Sequence, residues 1–210
     1  AWMANYMLKE KGYPIELVAE IGFYGYMPRP ASPFVFNMAN IPTCKGILGS
    51  MQILGAVMGR EDSRSIGVLG AGQVDKHGNI NSTVIPGSMY LLGSGGANDV
   101  ASTAEEVVVI MRHSPLRLVE RVPYVTAPGE KVTMLVTTEG VFEKVDGELT
   151  LTGYFPKQGQ SKEQIIERIK SETGWRLRVS EEVREEKPPT LRELMILRYF
   201  DPDHNFLREK

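Results

Sequence analysis

Short apolar runs that stop at glycine recur along this chain. Ile15 to Ile21, Ser65 to Gly70, Val107 to Met111 and Val132 to Thr137 are rich in β-branched residues and show little polar alternation. Runs of this kind predict strands buried on both sides, so the expected fold class is α/β, an open, mostly parallel sheet with helices on both faces. Met89 to Leu92 reads as a further short strand. Helical spacing appears at Met3, Tyr6 and Met7, ending at Gly12 before Pro14, and Ile47 to Met58 reads as an apolar helix. Ser161-Lys162-Glu163-Gln164 and Thr190-Leu191-Arg192-Glu193 fit capping boxes, each ahead of a helical apolar pattern, which predicts C-terminal helices. Asp146-Gly147, between Val141-Phe142 and Leu149-Thr150-Leu151, predicts a β-hairpin with a type I′ turn. Pro28 to Pro33 reads as an irregular loop, and the charge run Glu181 to Lys187 as a solvated linker. Because the chain opens inside a helix, the expectation is a single domain over 1–210 that lacks an upstream strand and turn.

Composition narrows the class. The chain has 210 residues, 42% hydrophobic and 24% charged, enough to bury a sizeable core. A net charge of −2 offers no electrostatic pull toward nucleic acid or an anionic membrane, and no apolar run approaches the roughly 20 residues of a membrane span. The single cysteine, Cys44, excludes an internal disulfide and fits a cytoplasmic location. His77, His113 and His204 lack the spacing of a metal site, so none is expected.

Three segments carry candidate chemistry. In Gly93-Ser94-Gly95-Gly96-Ala97-Asn98-Asp99, a strand runs through a glycine turn into a helix start. Backbone N–H groups unshielded by Cβ atoms can hold an anion or a developing oxyanion there; the alternative is a turn that only connects two elements. In Ala19-Glu20-Ile21-Gly22 a carboxylate closes an apolar run beside a glycine, a candidate nucleophile. Gly70 to Ser82 is a polar loop at a strand exit. Its glycine order is wrong for a dinucleotide turn and no helix follows. Gln73, Asp75, Asn79 and Asn81 either orient a ligand or satisfy their own turn.

Taken together, Glu20-Ile21-Gly22, GAGQVDKHGNINST from Gly70 to Thr83, GSGGAND from Gly93 to Asp99 and MRHSPLRLVERVPYVTAPG from Met111 to Gly129 resemble the β subunits of family I coenzyme A transferases, on their glutaconate branch. The resemblance runs nearly the whole chain. It implies the open sheet fold shared with sugar-phosphate isomerases, no permanently bound cofactor, coenzyme A as substrate, and a separate α subunit as partner. By the same resemblance Glu20 is the nucleophile that becomes a glutamyl-CoA thioester, Gly95 and Gly96 donate to the oxyanion, and Gln73, Asn79, Asn81 and Asn98 bind substrate. Ile21 departs from the small or polar residue common at that position. Related branches act as acyl-CoA hydrolases or decarboxylases, and a non-catalytic scaffold subunit is a further alternative. For a distal substrate carboxylate the candidates are Arg29, Arg112 and Arg117.

Overall fold

The computed structural model describes residues 1–31 and 37–206. In chain order these form α1 (Trp2–Glu10), β1 (Val18–Ala19), β2 (Phe23–Tyr24), β3 (Gly46–Ile47), β4 (Ile66–Gly70), β5 (Gln73–Asp75) and β6 (Ile80–Asn81). Next come β7 (Val84–Ile85), β8 (Met89–Tyr90), α2 (Ala97–Thr103), β9 (Glu106–Ile110), β10 (Leu118–Val119), β11 (Val132–Val136) and β12 (Gly140–Val145). The chain finishes with β13 (Glu148–Tyr154), α3 (Lys162–Ser171), β14 (Arg178–Glu185) and α4 (Leu191–Phe200). These elements group into two compact units: Ala1–Arg60 with Pro189–Lys210, and Glu61–Pro188.

The first unit is held by an aromatic contact between its two helices. Trp2, Met3, Tyr6 and Met7 of α1 pack with Met27 against Ala31, Ile196 and Phe200. The Phe200 ring, fully buried, lies 4.9 Å from Trp2 and 5.2 Å from Tyr6. Burying such a side chain contributes about 1.5–3 kcal/mol, enough to dock a helix of nine residues that would be marginal alone. The capping box at Thr190 forms as expected: its hydroxyl accepts from Glu193 N–H at 3.2 Å, and the Glu193 carboxylate accepts from Thr190 N–H at 2.7 Å.

Two expectations fail in this unit. Ile15 to Ile21 is not a strand of a parallel sheet; only Val18–Ala19 is extended, in a three-stranded antiparallel sheet ordered β1-β2-β3. The chain reverses at once because Gly22 takes φ +125°, open to glycine, and a Cβ there would run into the Leu48 carbonyl. Ile47 to Met58 is helical only from Ser50 onward, and over Gln52–Met58 it is wound as a π-helix. Of the loop Pro28 to Pro33, positions 32 and 33 lie outside the described residues.

The second unit is built on a six-stranded sheet ordered β14-β13-β12-β11-β9-β4. The β13–β14, β9–β11 and β4–β9 pairs are parallel, so most of the ladder runs one way. α2 lies over β4 and β9, where Gly67 leaves room: a Cβ on it would sit 2.8 Å from Val100 of the helix. On the opposite face Ile66, Val68 and Ile110 are exposed. The hairpin β12–β13 turns at Asp146 (φ 51°) and Gly147 (φ 79°), both positive as a type I′ turn demands. The Ser161 capping box starts α3, whose Ile165 and Ile169 are buried.

Here too one reading fails. The charge run Glu181 to Lys187 is largely strand, not linker. β14 is an edge strand, so its outer charges stay in water and guard the edge, with Arg184 pairing Glu143 and Glu186. Met89 to Leu92 is a strand over Met89 and Tyr90, which form one arm of the small hairpin β7–β8 with both side chains exposed.

His113 sits buried beside this sheet, its ring stacked on Phe142 at 6.0 Å and its Nδ1 3.2 Å from the Thr137 hydroxyl. Burial holds its pKa below the ordinary histidine range; Glu172, the Ile169 carbonyl and Glu139 pull the other way and Arg168 adds to the lowering. The folded state therefore prefers the neutral ring. Its stabilising contribution is complete above about pH 6.5, where the unfolded histidine is neutral too, and is lost as pH falls below that value toward the folded pKa. Urea midpoints measured between pH 7.5 and 5 are expected to fall with acidity, and His113→Gln should flatten that slope; an unchanged slope would refute the assignment.

Candidate active site

Glu20 occupies a turn, not a strand end. It follows β1 in the reversal Ala19-Glu20-Ile21-Gly22, closed by the Gly22 N–H on the Ala19 carbonyl at 3.0 Å. Beneath the turn lies an apolar cluster of Ala19, Phe23 and Tyr26, packed with Leu17, Ile21, Ile41 and Cys44. Ile21 is thus a packing residue that anchors the turn. Glu20 itself is half-buried, and no described residue hydrogen-bonds its carboxylate. Its charge is felt by Tyr26, whose phenol is pushed up first by burial and then by Glu20 and Cys44. Glu20 is therefore a carboxylate on a tight turn above an apolar floor, with no hydrogen-bond donor among the described residues.

Glu20 and Arg29 belong to the first unit and the other predicted site residues to the second. The turn Gly93 to Gly96 leads directly into α2, as the sequence indicates. Gly95 has φ +53° and open space around it, a conformation that suits glycine, and Gly95 is exposed. Among the described residues no side chain caps α2, which starts at Gly96. Asn98 reaches back to donate its amide to the Thr126 carbonyl at 3.2 Å.

The polar loop is different from the ligand platform expected of it. Asn81 is fully buried, and its amide donates to Gln73 Oε1 at 3.0 Å and to the Val84 carbonyl at 2.8 Å. Its oxygen accepts from Thr83 N–H at 3.1 Å and Val84 N–H at 3.3 Å. Gln73 spends its other end on the Leu116 carbonyl at 3.1 Å. Asn79 donates to both Asp75 oxygens and accepts from Gly129 N–H at 2.9 Å. Asp75, at 1% exposure, also accepts from the N–H groups of His77 and Asn79, each at 3.0 Å. The polar side-chain atoms of Gln73, Asn79 and Asn81 are thus hydrogen-bonded within the chain, and a ligand would have to compete for those bonds.

The arginines divide similarly. Arg117 Nη1 donates to the Ala71 carbonyl at 3.2 Å, and Arg29 lies over the Tyr199 ring at 3.8 Å, whereas Arg112 is exposed. A concavity of about 410 Å³ lies elsewhere, lined by Lys170, Trp175, Arg176, Leu177 and Val179, and contains none of the predicted site residues. Thr126 is a site-region residue with no motif of its own. It lies in the VTAPG segment but carries no spacing signal that would single it out. No group of three or more metal-ligating side chains occurs among the described residues, and no helix there is long and apolar enough to cross a membrane.

Known proteins are similar to this chain in sequence and in fold. Residues 55–157 match the family described as Coenzyme A transferase. The chain is 34% identical over 154 residues to the B subunit of 3-oxoadipate CoA-transferase from Pseudomonas knackmussii, covering 63% of this chain and 57% of that one. It is 30% identical over 169 residues to the B subunit of glutaconate CoA-transferase from Acidaminococcus fermentans, covering 70% and 60%. The beta subunit of acetate CoA-transferase from Escherichia coli is 31% identical over 159 residues, covering 71% of each. The fold matches that of glutaconate coenzyme A-transferase from Acidaminococcus fermentans with a TM-score of 0.84 over 99% of this chain and 87% of that one, at 22% identity. The chain belongs to the coenzyme A transferase family. It spans 57% and 60% of the length of the first two of these relatives.

The buried amide network makes a quantitative expectation. Asn81→Leu keeps the volume but strands the Gln73 oxygen, the Val84 carbonyl and two N–H groups, so chemical denaturation should show a loss of about 2–4 kcal/mol. A loss under about 0.5 kcal/mol would mean that Asn81 is free to serve a ligand.

Proposed function

We propose that this chain is the β subunit of a heteromeric CoA transferase that moves coenzyme A between an acyl-CoA and a carboxylic acid through Glu20. The observation that carries the reading is the Glu20 carboxylate, half-buried on a glycine-closed turn over an apolar floor and free of hydrogen bonds from the described residues. Membership of the family supports it. The α subunit as partner is inferred from relatives that are named as B or beta subunits.

The chemistry follows from what a carboxylate can do. A Glu20 oxygen attacks the thioester carbonyl and the C–S bond breaks, giving a mixed anhydride and CoA thiolate. The thiolate then attacks the glutamyl carbonyl, releasing the first acid and leaving CoA on Glu20 as a thioester. An acceptor carboxylate runs the two steps in reverse. Energy is conserved because an anhydride and a thioester are both activated acyl groups, so no ATP is spent. Each step passes through a tetrahedral oxyanion, for which Gly95 and Gly96 N–H groups are the assigned donors, worth on the order of 3 kcal/mol for a good one. Asn98 is assigned to substrate contact or to holding that turn. The apolar floor beneath Glu20 would keep its carboxylate poorly solvated and hence more nucleophilic.

Glu20→Gln retains size but removes the nucleophile. With the partner subunit present, CoA exchange between acids is expected to fall by several orders of magnitude while circular dichroism and subunit association persist. Glu20→Asp, which withdraws the carboxylate by about 1 Å, should lose roughly 100-fold. Borohydride trapping after incubation with acyl-CoA should mark Glu20. Near wild-type transfer by Glu20→Gln would sink the reading; lost transfer with persisting thioester hydrolysis would point to a hydrolase. The isolated chain should be inactive, and turnover equal to that of the mixture would count against the partner.

A further inference from the structure

The glycine turn has little side-chain packing. Gly93 and Gly95 are exposed; among the described residues nothing lies within 4 Å of where a Gly95 Cβ would point, and no side chain caps the helix that follows. The Ala97 N–H closes it on the Ser94 carbonyl at 3.1 Å, which sets its local shape; its position is set at its two ends. On the near side, Leu91 N–H donates to the Thr83 carbonyl at 2.7 Å. On the far side, Asn98 donates to the Thr126 carbonyl at 3.2 Å. These two anchors are bonded to each other: the Thr83 and Thr126 hydroxyls lie 2.9 Å apart. Thr126 is 4% exposed, its hydroxyl also accepts Ser82 N–H at 2.9 Å, and its N–H donates to the Ile80 carbonyl at 2.8 Å. The buried amide of Asn81 fixes the same corner by accepting from Thr83 N–H.

We infer that Thr126 is a positioning residue for the reaction: paired with Thr83, it sets the separation of the two ends of the Gly93–Ala97 turn and thereby aims the turn's N–H groups. Leu91, Thr83, Thr126 and Asn98 form a closed clasp around a segment whose own backbone bond, Ala97 N–H to the Ser94 carbonyl, shapes the turn without anchoring it. This rests on the reading of the turn as the oxyanion donor. It adds a residue and a coupling that neither the motifs nor the family membership assign. The physical reason is one of leverage. A glycine turn gains catalytic access by giving up side-chain packing, so its donors stay preorganised only if rigid elements hold both ends.

The test uses Thr126→Val, which keeps the shape but loses the hydroxyl, with Thr126→Ser, which restores it, in the assembled enzyme. Amide hydrogen exchange at residues 91–99 should accelerate about tenfold or more in Thr126→Val, with β9 and β11 unchanged, and return toward wild type in Thr126→Ser. The kcat should fall about 10- to 100-fold with KM for acyl-CoA nearly constant, because the interaction lost belongs to the transition state. Thr83→Val combined with Thr126→Val should be no worse than Thr126→Val alone, since both break one pair. Unchanged exchange at 91–99, or acceleration spread equally over β9 and β11, overturns the clasp. Loosening of the turn without loss of kcat, in an enzyme that Glu20→Gln inactivates, overturns the positioning role while leaving the function proposed for Glu20 intact. If Glu20→Gln remains active, that function fails, and the exchange measurement still decides the clasp.

Discussion

One buried side chain, the amide of Asn81, organises the irregular half of the larger unit. A chain cannot pass through a protein interior unless its backbone groups are paired, and the short β5–β6 ladder reaches only as far as Asn81. The Asn81 side chain carries the pairing past the strand end: it accepts from two N–H groups and donates to a carbonyl and to Gln73, at zero exposure. Gln73 passes the connection to Leu116, while Asp75 and Asn79 close the next turn and tie it to Gly129. The result is a rigid polar corner from which Thr83 can hold Leu91 and Thr126 can hold Asn98. Side chains that seem suited to a ligand are spent on architecture, and the exposed glycine turn stays unencumbered because they are.

The burial of Asp75 illustrates how such a corner is balanced electrostatically. Its carboxylate is satisfied mainly by backbone and amide donors. Lys144, whose ammonium bonds the Gly129 carbonyl, is pulled down by burial, and Asp75 and Glu130 partly offset this. Neutral donors around a buried anion cost less to assemble than a second buried charge, provided that every lone pair finds a partner. The smaller unit solves its problem differently, with aromatic packing of Trp2, Tyr6 and Phe200 and an apolar cushion under the Glu20 turn. There the Glu20 carboxylate has no hydrogen-bond donor among the described residues, as the role proposed for it requires.

Local signals in this chain were legible because local energetics decide them. The capping boxes at Ser161 and Thr190, the type I′ turn at Asp146-Gly147, the glycine turn ahead of Ala97 and the strands around Val68, Val108 and Leu135 each depend on neighbours within a few residues, and each appears as the pattern indicates. Family membership, carried by motifs spread from Glu20 to Gly129, was equally readable. What only the tertiary structure decided depends on partners far along the chain. Whether Asn79 and Asn81 face a ligand or the interior turns on contacts such as the one to Gly129, 50 residues away. The importance of Thr126 turns on Ser82 and Asn98, 44 and 28 residues distant. The charged run in β14 became a strand because a sheet edge lets one side of it remain in water. Glu20 sits in a turn, not at a strand end, because Gly22 allows the chain to reverse against Leu48. Composition and spacing specify which groups are available; only packing determines which of them remain free to react.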